Sequence, residues 1–320
     1  MHIPENFLSP STCAVLGASM IPVWRNASLK VKKELSRKKL PMLGICAAFS
    51  FLIMMFNLPL PGGTTGHAVG AVLAAILIGP HAASISITIA VVVQAVFFGD
   101  GGILAIGANS FTLAFVMPYT GYYLYKLIKS KIKSTRGDYF AAFIAGYTGV
   151  VLAAFATAVL FGIQPLLFKD AAGLPIYCPY PLKVAIPAMV IPHVLVVGIV
   201  EGSVTAGIYA YIRKVSPEAL YKNESASFKL IYILLTVLAV LTPIGLIASG
   251  TAWGEWANEE LKELVGYVPR GMEEGFNFSA MMPDYTFIHT SEIISYILSA
   301  VVGVAVIFIL FKLTSKMSRN

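Results

Sequence analysis

The sequence predicts an all-α polytopic membrane bundle, a core of about seven helices followed by two further C-terminal spans. Three observations carry this prediction. Apolar residues make up 57% of the 320-residue chain and charged residues only 12%, about half the charge of an ordinary soluble domain. Apolar runs near the ~20 residues that cross a bilayer recur from one end to the other. Lys and Arg lie in short clusters between those runs, so the net charge of +7 reads as membrane orientation and excludes a nucleic-acid surface.

Candidate spans fall at residues 7–24, 40–60, 66–79, 81–98, 103–126, 139–163, 187–212, 228–250 and 291–313. The third is short and rich in Gly and Ala, reads as a half-span, and is broken from the fourth by Gly79-Pro80. Small residues four apart, Ala14 and Ala18 in the first span and Gly66, Gly70 and Ala74 in the third, predict close helix contacts. Basic clusters follow the first span (Arg25, Lys30, Lys32, Lys33, Arg37, Lys38, Lys39) and the fifth (Lys126, Lys129, Lys131, Lys133, Arg136). Arg213, Lys214 and Lys222 after the seventh, and Lys312, Lys316 and Arg319 at the end, fall on the same side. Positive charge marks the cytoplasmic side, so the N-terminus is expected outside and the C-terminus in the cytoplasm of a prokaryotic cell.

Nothing basic precedes the first apolar run, so no cleavable signal is expected, and the bulk of His2 argues that Met1 is retained. Residues 1–213 form one transmembrane unit, 214–227 a polar cytoplasmic linker, and 228–320 a two-span unit around a long acidic external loop. That loop has a helix-like run from Trp253 to Leu264, then Gly- and Pro-punctuated sequence from Gly266 to Pro283. Cys13, Cys46 and Cys178 form no CxxC and are expected to pack as small apolar residues.

The candidate chemistry begins at Met1-His2. A free α-amine, the His2 amide nitrogen and the His2 imidazole close two fused chelate rings in one plane, which suits Ni(II) or Cu(II) and accepts Co(II). His67, in Pro61-Gly62-Gly63-Thr64-Thr65-Gly66-His67, stands on the same predicted side. A lone His at a helix start is ordinarily structural; paired with Met1-His2 it supplies a fourth nitrogen. Thr64, Thr65, Asp100 in Gly99-Asp100-Gly101-Gly102, and Asn109 are candidates for the ligands' supporting layer or the cavity wall. For Asp100 a helix cap is the competing reading, and for Asn109 an interhelical hydrogen bond. Within the seventh span, His193 and Glu201 lie eight residues apart on one helical face. They mark either an ion path or a local polar network. The chain carries no GxxxxGK[ST], GxSxG or HExxH, so any ATP acts on a partner and no enzyme activity is expected.

The opening MHIPENFLSPSTCAVLGASMIPV, with PGGTTGHAVGAVLAAILIGPHAA and FFGDGGILAIGANSF, resembles the CbiM/NikM substrate-capture subunits of energy-coupling factor (ECF) cobalt and nickel transporters. Residues 228–313 look like the second small subunit of these systems, the CbiN/NikN or PDGLE type, fused to the first. The resemblance implies that the Met1 amine, the His2 amide and imidazole, and His67 hold one Co(II) or Ni(II) ion in a square plane. It implies as partners a coupling membrane subunit and a pair of cytoplasmic ATPases, with no permanently bound cofactor. Two departures stand out: Glu5-Asn6 where Asp-Gly is common, and Pro283-Asp284-Tyr285 where the PDGLE name implies Pro-Asp-Gly. The alternative is a stand-alone secondary metal/proton carrier working through His193 and Glu201.

Overall fold

A computed structural model describes residues 2–34, 40–61, 64–217, 228–248 and 250–317. The regular structure among the described residues is helical apart from one small antiparallel pairing of Leu58–Pro59 on Thr65–Gly66. Among the described residues, five helices are long and apolar enough to cross a membrane: Pro80–Phe98, Thr135–Leu167, Leu182–Val215, Lys229–Ile247 and Glu292–Leu313. Leu40–Met54 is a shorter apolar helix, buried along nearly its whole length. The third candidate span yields only Ala71–Ile78, ~12 Å of helix at 1.5 Å per residue, too short to cross alone. Gly79 then turns the chain at φ 85° before Pro80 opens the next helix.

Helix Pro10–Glu34 runs ten residues past the predicted end of the first span. Its close contact is not made by the predicted stripe: Ala14 and Ala18 are exposed. Instead Gly17 meets Gly107, where an added Cβ would lie 2.5 Å from the Gly17 Cα. The spacing rule finds small residues but not the face they take. Gly66, Gly70 and Ala74 are buried as expected.

Helices Thr135–Leu167 and Leu182–Val215 lie together through Gly146, Gly198 and Gly202, each filled by a side chain of the other helix. At one end of that pair Arg213 Nη1 donates to Asp138 Oδ2 at 2.7 Å, with Lys129 3.4 Å from the same carboxylate. The C-terminal pair packs on Leu40–Met54, where Gly303 makes room for Phe51 and Gly44 for Phe308. Among the described residues, π-helical turns occur at residues 94–98, 110–116 and 193–197. Such one-residue insertions cluster at functional sites. The three cysteines are free and buried.

The helix expected over 253–264 begins later, at Asn258. Gly254, at φ 92° against Phe161, and a turn from Glu255 N to Ala252 O occupy the preceding residues. Most of the linker, 218–227, lies outside the described residues.

Candidate metal centre

Residues 2–9 form no regular element before the first helix, and their backbone is held from outside. Ile3 N donates to Asn109 Oδ1 at 2.7 Å and Asn109 Nδ2 donates to Ile3 O at 3.0 Å, a two-way clamp from a fully buried side chain. Gly102 N donates to the same Ile3 O at 2.9 Å. Ser9 N reaches Gln164 Oε1 at 3.0 Å, and Phe7 O accepts from Cys178 N at 3.1 Å. The Glu5 carboxylate accepts from Ile103 N at 2.6 Å. Burial lifts its proton affinity even though Ile103 and Leu104 N–H groups oppose that shift.

The glycines of Gly99-Asp100-Gly101-Gly102 let the segment in. A Cβ on Gly102 would lie 2.7 Å from both the Glu5 Cα and the Glu5 nitrogen. Gly101, at φ 86°, sits 3.5 Å from the His2 Cβ by the same construction. The backbone of this turn therefore lies directly against residues 2–5.

These contacts bury His2 beside His67. The two rings stack with centroids 5.1 Å apart and planes inclined by 29°, and both residues are under 5% exposed. His67 Nδ1 lies 3.1 Å from the Ala68 carbonyl. A carbonyl only accepts, so Nδ1 carries the proton and Nε2 carries the lone pair. His2 Nδ1 lies 2.6 Å from Asp100 Oδ1, and its buried Nε2 has no hydrogen-bond partner among the described residues. Asp100 thus supports a histidine ring in the manner of a carboxylate behind a metal ligand. Burial pushes its proton affinity up, but the His2 ring and the hydrogen bonds from His2 and Tyr285 outweigh this and hold the carboxyl well below its usual range. Met1 lies outside the described residues.

Glu201 belongs to this region without touching the imidazoles. Its fully buried carboxylate accepts from Val69 N at 2.7 Å and Gly70 N at 3.1 Å, with Thr205 Oγ1 at 3.4 Å. Those amides open the Ala71–Ile78 helix, so Glu201 fixes the backbone two residues after His67. One turn earlier Val197 fills the space over Gly66. A further turn back, the buried His193 donates from Nδ1 to Met189 O at 2.7 Å, and its Nε2 has no hydrogen-bond partner among the described residues. Thr64 Oγ1 and Thr65 N both donate to Thr251 O, at 3.0 and 3.2 Å, tying the His67 loop to the C-terminal unit.

Sequence reasoning missed Tyr285. Its hydroxyl donates to Asp100 Oδ2 at 2.5 Å, and Gln94 Nε2 lies 3.1 Å from both oxygens. Burial first, and then the neighbouring Asp100 charge, push the phenol well above its ordinary value, so the O–H stays on. The Pro-Asp-Tyr departure was the only available signal. The external loop lies over residues 2–9: Asn6 exchanges hydrogen bonds with Phe276 at 2.7 and 3.0 Å, and Trp256 packs 6.4 Å from Phe7.

Residues 2–219 match the family model described as "cobalt uptake substrate-specific transmembrane region", and residues 227–320 match that of the PDGLE domain. A probable fused nickel transport protein of Lactiplantibacillus plantarum is 44% identical over 98% of this chain and 97% of that protein. A fused nickel transport protein of Rhodobacter capsulatus is 43% identical over 96% of this chain and 95% of its own length. Among solved structures, a truncated transition metal transporter is 53% identical, covers 67% of this chain and 99% of its own, and superposes with a TM-score of 0.64.

Proposed function

We propose that this chain, which belongs to the CbiM family and ends in a PDGLE domain, captures Ni(II) or Co(II) for an ATP-driven ECF-type importer. It is a multi-pass membrane protein of nickel and cobalt transport. The finer assignments are ours: residues 1–213 as the capturing unit, 228–320 as a module over its mouth, and the N-terminus on the outer face. Full-length relatives named for nickel, together with a planar all-nitrogen donor set, favour Ni(II).

The observation that carries the reading is the buried pairing of His2 with His67 and Asp100. Four nitrogens hold the ion: the Met1 amine, the His2 amide, the His2 ring and His67. A planar chelate through the His2 amide uses Nδ1 of the same residue, the atom that Asp100 engages here at 2.6 Å. Loading therefore turns the His2 ring, giving Nδ1 to the ion and the opposite N–H to Asp100. The clamps on Ile3 and Glu5 keep the segment in place while this happens, so little chain entropy is lost on binding. Power comes from partner ATPases through a coupling membrane subunit.

The test is metal content. Purified full-length chain should retain about one Ni(II) or Co(II) per molecule, and His67→Ala should lose it. Retention by His67→Ala would sink the assignment. The carrier alternative needs Glu201 to exchange protons, whereas Glu201 is engaged by two backbone N–H groups. Uptake driven by a pH gradient in liposomes holding this chain alone would reinstate it.

A further inference from the structure

Two consecutive residues of the C-terminal module, Asp284 at φ 52° and Tyr285 at φ 59°, lie in the left-handed region. A glycine adopts that backbone freely, and a bulky aromatic residue there is a true outlier. Such an outlier persists only where its surroundings over-determine it, and those surroundings point to its use. Around Tyr285 they are specific. The ring stacks on Phe98 at 4.8 Å and 19°, with Tyr296 at 5.4 Å. Ser299 Oγ donates to its carbonyl at 2.9 Å, and Met282 N donates to Phe97 O at 2.8 Å. The side chain is thereby delivered, 185 residues along the sequence, onto the second oxygen of the carboxylate that holds His2.

We propose that Tyr285 is the positioning residue through which the C-terminal module sets the metal centre: its hydroxyl fixes Asp100, and Asp100 fixes the His2 ring. This rests on the capture reading above. Oδ1 faces His2 and Oδ2 faces Tyr285 and Gln94, so the carboxylate is held at both oxygens. When the His2 ring turns to load an ion, a carboxylate pinned from behind stays where the departing N–H can find it. Residues that orient a metal-bound imidazole typically change metal affinity by about 10–100-fold.

The experiment titrates Ni(II) into full-length wild type, Tyr285→Phe, Asp100→Asn and the double variant by calorimetry, and records each thermal unfolding midpoint. Phenylalanine keeps the ring contacts and removes only the hydroxyl. We expect Tyr285→Phe to bind about tenfold more weakly with its midpoint unchanged, and the double variant to bind no more weakly than Asp100→Asn. Binding by Tyr285→Phe within twofold of wild type overturns the proposal. So does a penalty undiminished in the Asp100→Asn background, or a fall in midpoint that accounts for it, since either marks packing. A wild-type chain that binds neither Ni(II) nor Co(II) overturns the capture reading and this role with it. Wild-type binding with an unaffected Tyr285→Phe overturns this role alone.

Discussion

Replacing Gly102 by Ala adds one methyl group where the inner turn meets the N-terminal segment. The new Cβ would lie 2.7 Å from the Glu5 Cα and nitrogen and 3.0 Å from the Pro4 carbonyl carbon. Carbon atoms are comfortable at ~3.5–4.0 Å, so residues 3–5 must withdraw by ~1 Å. These are backbone atoms and have no rotamer to change. Withdrawal also stretches the Gly102 N to Ile3 O bond from 2.9 Å. Overpacking of this kind costs about 1–3 kcal/mol, and each 1.4 kcal/mol is roughly tenfold in affinity. Gly102→Ala should therefore bind Ni(II) about 5- to 150-fold more weakly by calorimetry. Gly207→Ala, a helical site with nothing within 4 Å, is the control and should leave affinity unchanged. Gly102→Ala within twofold of wild type, or an equal loss in the control, would refute the claim that this turn seats the capture segment.

Asn109→Leu leaves the Ile3 N–H without its acceptor, while the Ile3 carbonyl keeps Gly102 N. One buried unsatisfied donor costs about 1–3 kcal/mol, so Ni(II) affinity should fall by at least fivefold in equilibrium dialysis. Glu201→Leu strands the Val69 and Gly70 N–H groups and should lower both the thermal midpoint and the affinity; lost transport with both unchanged would favour an ion path through Glu201. Acid should weaken capture, because the ion displaces protons from the amine, amide and imidazoles: about tenfold per pH unit for each proton released. An affinity flat between pH 8 and pH 6 would contradict nitrogen ligation.

The bundle was legible because its signals are local. Apolar runs and basic clusters mark spans without knowledge of what they touch, His2 stands out by its place at the N-terminus, and His67, Asp100 and Asn109 stand in segments whose small residues announce close approach. Long-range partners were not. A carboxylate inside a span reads equally as an ion path or a polar network, and the amides that Glu201 binds lie 131 and 132 residues away, which no spacing rule reaches. Tyr285 meets Asp100 across 185 residues. The stripe at Ala14 and Ala18 has the right spacing on the wrong face, with Gly17 making the contact. The π-helical turns at 110–116 and 193–197 rotate the helical residues beyond them, and no composition rule marks a one-residue insertion.

The central claim is that the α-amine of Met1 is a ligand, and blocking it is the most direct test. Full-length chain with a free Met1 amine should bind about one Ni(II) in a diamagnetic square-planar state, as that donor geometry requires. The same chain with one extra residue before Met1, or acetylated there, should bind Ni(II) far more weakly and lose that state. An extended or acetylated chain that binds with unchanged affinity and spectrum would contradict the account.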